Sequence, residues 1–456
     1  MTKNTAKIVC KFGGTSMGSP ERIHKCAALS VRSNAAIVVV SATSGTTNKL
    51  VEICDSAKLG PETINQLVEN VVTKHKTFAQ EMGITTNSPW GRELEVVYDE
   101  LYALAIGIGL LGEISPSARD RILSAGERLS SPLICAALEK IDSRRVVLVD
   151  ARKLIRTDDN FGSATPDYPS TRSSSGAILS ELSGGNLQNC RFVTQGFIGS
   201  TSDERTTTLG RGGSDFSASI LANAIDADSL EIWTDVTGVA STDPRICSAA
   251  KFMDELSYAE AAEMAGFGAK VLHPITLDPV AELQIPVKVL SSLDPDHPGT
   301  RICQDPKNMP IVRAINCKRN QSLLTLKTAS MLHSHDFLKN IFATFSAHRV
   351  GIDSIATSQI SVTMTLDDVT LLNEALLREL REYADVSVES GFTLVSVTGN
   401  GMAHHPNLAA QMFGAIEGIN VRMISAGASD HNICFMVEDK RAAEVVARLH
   451  KKFLES

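Results

Sequence analysis

Along the first two thirds of the chain, two apolar rhythms alternate. Short β-branched runs at Lys7–Phe12, Ala36–Ala42, Arg145–Asp150, Arg191–Ile198, Leu230–Val236 and Pro286–Leu290 read as buried strands. Between them, Glu21–Arg32, Asn48–Lys58, Thr63–Met82, Glu93–Leu111, Ala118–Leu138 and Phe216–Ile225 carry helical spacing. Ser19-Pro20 is a helix-start pair for the first of these. Strands alternating with helices predict a parallel sheet covered on both sides, an α/β fold. From Thr63 to Leu138 the spacing is helical only, so this stretch is expected to be an insertion over one end of the sheet.

The rhythm changes at 291–310, a segment with four prolines that reads as a linker. Beyond it, Leu323–Lys327 predicts a strand, Phe337–His348 a helix, Ile352–Thr357 and Ile360–Leu366 a strand pair, and Leu371–Tyr383 a second helix. A second copy follows in Thr393–Thr398, Leu408–Glu417, Val421–Ala426, Ile433–Val437 and Ala442–Phe453. An offset of 71 residues lays Val350, Ser354 and Ser358 on Val421, Ser425 and Ser429. The same offset lays Val362, Met364 and Leu366 on Ile433, Phe435 and Val437. Matching alternation with these identities predicts two copies of one small α+β unit.

Composition narrows the classes. The chain has 456 residues, 43% hydrophobic and 21% charged, as an ordinary globular protein of about three domains does. The net charge of −8 comes without a basic tail, which argues against a nucleic-acid partner. The longest apolar run, Ala103 to Gly112, is far short of the ~18 residues of a membrane span. The start, MTKNTAKIVCKF, has no apolar signal core. Nine cysteines never form a CxxC pair, so reduced, buried thiols in a cytoplasmic protein are expected, with neither disulfides nor a zinc site.

Candidate chemistry sits where strands end. Lys11 closes the first strand before Gly13 and Gly14, and glycines let backbone N–H groups approach a phosphate. A tight strand-to-helix turn with a solvated lysine is the competing reading. TTTLGRGGSD, 206–215, places three glycines around Arg211 and then opens a helix, an arrangement suited to anions. Arg211 suits bidentate capture of a carboxylate or phosphate. Asp215 alone would be a helix cap, but a cap does not account for the glycines. SATSGTTN, 41–48, offers hydroxyls that either orient a polar substrate or cap the next helix. Thr234-Asp235 ends another strand; Asp243-Pro244 reads as a turn with Arg245 beside it. Lys270 in FGAKVLHP would alone be a surface lysine. Glu127 in LSAGERLS would alone be one charge on a solvated helix face. His404-His405, His333 and His335 lack companions at metal-ligand spacing, so no metal site is assigned. Two lysines, a glycine-rich arginine loop and strand-end threonines without a P-loop suit phosphoryl transfer by positioning and cationic stabilisation.

KFGGTS, SATSGTTN, SAGE, TQGFIG, TTTLGRGGSD, WTDVTG, TDPR and FGAKVLHP occur here in the order found in aspartokinases, and the chain resembles the monofunctional, lysine-sensitive class over nearly its full length. The resemblance implies an amino-acid-kinase-type three-layer sandwich over 1–300. It also implies two ferredoxin-like ACT domains, 313–392 and 393–456, which may interleave. The implied reaction is ATP-dependent phosphorylation of the β-carboxylate of L-aspartate to 4-phospho-L-aspartate, the first step toward lysine, threonine and methionine. Mg²⁺ would be held mainly by the nucleotide phosphates. By the same resemblance, Lys11 and Lys270 would neutralise the transferring phosphoryl group and Asp215 would orient them. Arg211 would hold the aspartate α-carboxylate, helped by Gly212, Gly213 and Ser214. Glu127 would bind the α-ammonium, and Thr47 and Ser41 would shape the pocket. Phe12, Gly13, Gly14, Thr234, Asp235, Ala240, Arg245 and Val271 would serve ATP.

Met331, Ser334, Phe337, Leu338, Gly351, Ile352, Asp353, Ser358 and Gln359 match the family's effector pocket, which implies feedback inhibition by L-lysine with Asp353 pairing its ammonium. Two positions depart from the family. Ala240 replaces a tyrosine near the adenine, and Gln359 replaces a frequent glutamate. Open ACT sheet edges imply a homodimer or a dimer of dimers. A glutamate or acetylglutamate kinase, and a metabolite-binding regulator without catalysis, are the alternatives. The paired C-terminal units argue against the first, and the retained Lys11, Arg211, Asp215 and Lys270 against the second.

Overall fold

The computed structural model describes residues 6–268, 272–328, 336–366 and 369–455. They divide into two compact units: Met1–Val239 with Asp254–Tyr258 and Val271–Pro306, and Ala240–Met253 with Ala259–Lys270 and Lys307–Ser456.

The first unit holds strands β1 (Ile8–Phe12), β2 (Ile37–Val40), β3 (Arg145–Leu148), β4 (Cys190–Gln195), β5 (Ile198–Ser200), β6 (Thr206–Thr208), β7 (Ser229–Thr234), β8 (Glu255–Ser257), β9 (Val287–Ser291) and β10 (Thr300–Cys303). Eight form one sheet in the order β3-β4-β2-β1-β7-β9-β10-β8, parallel except where β10 meets β9. β5 and β6 make a separate hairpin. Its helices are α1 (Pro20–Arg32), α2 (Thr46–Asp55), α3 (Pro61–Glu81), α4 (Pro89–Leu111), α5 (Pro116–Glu139), α6 (Ala151–Leu154), α7 (Tyr168–Ser183), α8 (Gly213–Ala224) and, after β8, α10 (Asp278–Glu282). The expected α/β class holds. The expected strand 191–198 is interrupted after Gln195, and the expected linker contains β10, which completes the sheet.

Alternation along β1 sets the layers. Cys10 and Phe12 enter the large core formed with α1 and α3–α5. Lys11, between them, turns to the opposite face, where it meets α8. Phe12 and Trp233 stack at 6.2 Å between neighbouring strands.

The second unit holds α9 (Tyr258–Gly266, from Ala259), β11 (Ala314–Lys327), β12 (Ile352–Thr357), β13 (Ser361–Leu366), β14 (Asp385–Thr398), β15 (Met423–Ala426) and β16 (Asn432–Glu438). It also holds helices α11 (Phe337–Ala347), α12 (Glu374–Leu380), α13 (Leu408–Ala415) and α14 (Ala442–Phe453). The two α+β copies are not separate sheets. β11 and β14 are 14 residues each and run antiparallel through both copies, in a six-stranded order β12-β13-β11-β14-β16-β15. The 392/393 division therefore falls inside β14. α11 and α12 cover Leu324, Val362 and Met364; α13 and α14 cover Ile315, Val395 and Phe435.

A buried ion pair braces the first sheet. Arg191 on β4 is 1% exposed and pairs with Asp142. It also donates to the carbonyls of Ser30 (2.7 Å), in the last turn of α1, and Ala35 (2.5 Å), just beyond it. Removing one partner of such a pair strands the other charge. Asp142→Ala is therefore expected to cost about 3–5 kcal/mol, read as a lower midpoint in urea unfolding. Asp296→Ala, which breaks a solvent-exposed pair with Arg32, should leave the midpoint unchanged. Equal effects would remove the buried brace from the account.

Candidate active site

Register in the parallel sheet levels the strand ends. Phe12 lies opposite both Val40 and Trp233, and Val40 opposite Gln195. Gly13, Ser41, Gly196 and Thr234 therefore leave the sheet side by side at its carboxyl rim, where α/β sheets bind ligands.

Lys11 reaches this rim from within β1. It is 7% exposed, and its Nζ lies 2.5 Å from Asp215 Oδ1 in the first turn of α8. A buried ammonium needs such a partner. The turn that follows Lys11 is tied to the neighbouring strand by Gly13 N–H donating to the Trp233 carbonyl at 3.1 Å.

α8 starts where the chain must reverse. Gly212 is its left-handed N-cap residue, φ +72°, and a Cβ there would lie 2.6 Å from His273 Cβ. No side chain caps α8, so the first-turn amides of Ser214 and Asp215 are left for a ligand. Arg211 is exposed on the loop just before. That loop is anchored from behind by Asp120 on α5. Its carboxylate accepts from Thr208 N–H (2.7 Å), Thr208 Oγ1 (2.9 Å) and Gly162 N–H (2.9 Å). Burial raises the Asp120 pKa against these bonds.

Glu127 departs from the solvated-face reading. It is 3% exposed, because α5 runs directly beneath the Ser41–Gly45 loop. Gly126 permits that approach, since a Cβ on it would come within 2.8 Å of Ala42 Cβ. Glu127 Oε1 accepts from Ala42 N–H at 3.1 Å, and among the described residues Oε2 has no hydrogen-bond partner. Burial pushes this carboxyl up to about 8, opposed by the Ala42 N–H and the Lys11 charge. An acceptor left open in a buried site is an invitation to a cation. Ser130 Oγ donates to the Ser41 carbonyl at 2.7 Å, which holds the same loop on α5. Thr47 follows on the first turn of α2.

Other expected residues are elsewhere or undescribed. Thr234 Oγ1 donates to Asp235 at 3.2 Å at the end of β7. Ala240 and Arg245 belong to the second unit; there Arg245 closes a turn on Asp243, Nη2 to Oδ2 2.6 Å. Lys270, Val271, Met331 and Ser334 lie outside the described residues. In the effector set, Phe337 is buried at the start of α11 and Leu338 is exposed. Gly351 precedes β12, and Ile352 and Asp353 are its first two residues. Ser358 and Gln359 form the turn into β13, where Ser358 Oγ accepts from Ser361 N–H at 3.1 Å. Asp353 already accepts Lys318 Nζ at 2.6 Å. Asp353 and Ser358 are five residues apart on an extended strand, roughly 17 Å, so the two ends are not brought together within one copy.

Sequence reasoning missed Asp120 and the group behind the Ser41–Gly45 loop, Lys74 and His75. Their signal, a polar residue on the apolar side of a helix, is faint in any single sequence.

Among the described residues, the one group of three close metal-ligating side chains is Cys247, His450 and Glu455, in the second unit. Both His450 ring nitrogens are engaged, by Glu455 (2.7 Å) and Ser241 (3.0 Å). No helix among the described residues is long and apolar enough to cross a membrane.

The chain matches the amino acid kinase family over residues 6–291 and the ACT domain over residues 395–453. It is 40% identical to the lysine-sensitive aspartokinase 3 of Escherichia coli strain K12, over 98% of this chain and 99% of that protein. It is 33% identical to a chloroplastic aspartokinase 3 of Arabidopsis thaliana, over 100% of this chain and 83% of the relative. Among solved structures, it is similar to E. coli aspartokinase III in complex with aspartate and ADP, with a TM-score of 0.87 over 99% of this chain and all of that one. Similarity to the same enzyme in complex with lysine and aspartate gives a TM-score of 0.83 over 98% and 99% of the two chains.

The Glu127 environment has a pH consequence. Below about 8 the free carboxyl holds its proton and cannot pair with an ammonium; above it, the carboxylate can. The kcat/KM for an ammonium-bearing substrate should rise through this range and level off above it. Glu127→Gln should lose that rise. A wild-type profile flat from pH 6 to 9 would contradict the assignment.

Proposed function

The chain belongs to the aspartokinase family, and from that premise we propose that the rim around Lys11 transfers the γ-phosphoryl group of ATP to the β-carboxylate of L-aspartate. The observation that carries this is the buried set of Lys11 paired with Asp215 beside Glu127 with an open oxygen. Lys11 offsets charge on the moving phosphoryl group, and Asp215 aims it. Lys270 is the second cation in this reading. Gly13, Gly14, Phe12, Thr234 and Asp235 receive the nucleotide at the ends of β1 and β7; Ala240, Arg245 and Val271 are assigned to ATP by the family resemblance alone. Arg211, with Gly212, Gly213 and Ser214, takes the α-carboxylate at the open start of α8. Glu127 takes the α-ammonium, and Ser41 and Thr47 close the pocket. The β-carboxylate is itself the nucleophile, so no strong base is required.

Mg²⁺ fits as a companion of the nucleotide. Asp215 is engaged by Lys11, and among the described residues the rim holds no set of three close ligands. When bound, the ion would offset phosphate charge.

The second unit is the regulatory part in this reading, inhibited by L-lysine as the name of the E. coli relative says of that enzyme. Asp353 would hold the effector ammonium, which must share or displace Lys318. Gln359, in place of a glutamate, removes one charge from the pocket. β12 is the end strand of its sheet, paired with β13 on one side. Pairing with a second copy would bring a partner's Ser358 turn toward Asp353, which favours a homodimer. All nine cysteines are free, in keeping with a reducing, cytoplasmic setting. The product would enter lysine, threonine and methionine formation.

A coupled ADP-release assay with L-aspartate, L-glutamate and N-acetyl-L-glutamate tests the substrate. Only L-aspartate should support turnover. Arg211→Ala should raise the KM for aspartate by about 10–100-fold, from loss of a charge-assisted contact, with a much smaller change for ATP. A shift in the ATP KM alone would place Arg211 on the nucleotide.

Regulation is tested by titrating lysine. Asp353→Asn should raise the concentration for half-inhibition about tenfold or more, since hydrogen bonds to charged groups are worth about 1.5–3 kcal/mol. Unchanged inhibition would remove Asp353 from the effector site. No inhibition of the wild type by lysine would remove lysine as effector.

A further inference from the structure

Behind the Ser41–Gly45 loop lies a buried polar cluster that the phosphoryl-transfer reading does not use. His75, on α3, is fully buried. Its Nδ1 lies 2.8 Å from the Val71 carbonyl, and its Nε2 3.1 Å from Thr43 Oγ1. Thr43 Oγ1 lies 2.7 Å from Thr46 Oγ1. Thr46 Oγ1 accepts from Lys74 Nζ at 3.2 Å, and the same ammonium donates to the Ser44 carbonyl at 2.6 Å.

The direction of every bond follows from the first. A carbonyl oxygen only accepts, so His75 Nδ1 carries the ring proton. Burial holds the imidazole neutral, its pKa pushed down to about 4, so Nε2 is a bare acceptor. Thr43 must give its one hydroxyl proton to Nε2, and can then only accept from Thr46. Thr46 has spent its proton on Thr43 and accepts from Lys74. The chain runs one way, Lys74 to Thr46 to Thr43 to His75 to Val71, with no alternative arrangement of protons.

The relay passes through a helix start that lacks its usual support. Gly45, φ +76°, precedes α2, and no side chain caps that helix. Thr46 is its first residue and Thr47 its second. On the other side of the loop, Ala42 N–H holds Glu127 and Ser130 holds the Ser41 carbonyl. The loop is thus gripped by α5 on one side and α3 on the other; Thr47 follows directly from it, and Glu127 on α5 is bonded to it through Ala42 N–H.

We propose that His75, Thr43 and Thr46 are positioning residues for the acceptor substrate, fixing the Ser41–Thr47 loop through a one-directional hydrogen-bond relay from Lys74. The proposal rests on the aspartate kinase reading for its kinetic outcome, and on the relay alone for its spectroscopic one. Thr→Val substitutions keep shape and remove only the hydroxyl, while leaving a buried acceptor unpaired.

The experiment compares wild type, Thr43→Val, Thr43→Ser, Thr46→Val and His75→Gln in steady-state kinetics. Thr43→Val and Thr46→Val should each raise the KM for aspartate about tenfold, with the ATP KM within about twofold. Thr43→Ser, which restores the hydroxyl, should stay near wild type, and His75→Gln, which can still accept, should lie between. In ¹⁵N-histidine NMR, His75 should be the Nδ1–H tautomer at pH 7, with an Nε2 signal that moves in Thr43→Val. Folded valine variants with a wild-type aspartate KM, or with equal shifts for both substrates, would overturn the proposal. So would a Thr43→Ser variant as impaired as Thr43→Val, or an Nε2–H tautomer. If wild type shows no aspartate-dependent ADP release, the substrate reading fails, and the NMR signature still decides the relay.

Discussion

The Lys11–Asp215 pair is the constraint on which the rest of the first unit depends. A parallel sheet delivers Lys11 to the rim, and burial would make its charge untenable alone. Asp215 supplies the partner, and to do so α8 must begin exactly one loop away, across a glycine turn too tight for a side chain at Gly212. The pair balances its own charge and, in the proposed phosphoryl transfer, would keep the ammonium aimed at the place where phosphate charge develops. That is electrostatic preorganisation, achieved before a ligand arrives.

Glu127 answers the opposite need. The rim offers Lys11, the nearby Arg211 loop and the first turn of α8, features that suit an anion of any kind. In the proposed reading, a buried carboxyl with one open oxygen adds a condition once it is ionised: a ligand with its own cation meets it, and an acid without an ammonium leaves it unpaired. Gly126, Ala42 and the relay behind Thr43 all serve to hold that carboxyl and its loop at one distance. If the relay positions the acceptor substrate as proposed, selectivity rests on packing between α3, α5 and the segment from Ser41 to Thr47 as much as on the charged groups.

Much of this was legible in the chain. The β-branched runs marked β1, β2, β4 and β7, and the strand-end glycines and threonines marked the rim, because a buried parallel strand has a strong apolar signature. What failed was local in origin. Helical periodicity alone left Glu127 as a charge on a solvated face, because it carries no information about a loop folding over that face; only the family resemblance gave it a role. Asp385–Glu389 was missed as strand because only two valines alternate with its polar residues and most of it is exposed, though the backbone pairs with β11 as part of β14. β8 and β10 are three and four residues long and exist through pairing with each other and β9. α7 begins YPSTRSSSG, a composition that favours turns, and is held as a helix by Asp167 at its N-cap and by Ser174 and Ser175 donating to the Leu154 carbonyl. His75 is visible in sequence only as one polar residue in an apolar helix face; its meaning needs Thr43 and Thr46 in place.

The central claim is that Lys11, held by Asp215, supports transfer of a phosphoryl group to the β-carboxylate of aspartate. The most direct measurement is to run wild type and a folded Lys11→Ala variant with ATP and L-aspartate in the presence of hydroxylamine, and to identify the trapped product. The account predicts an ATP-dependent β-aspartyl hydroxamate from wild type, with its rate down by about 10²–10³ in the variant. An α-hydroxamate, or the same rate of β-hydroxamate from Lys11→Ala, would contradict it.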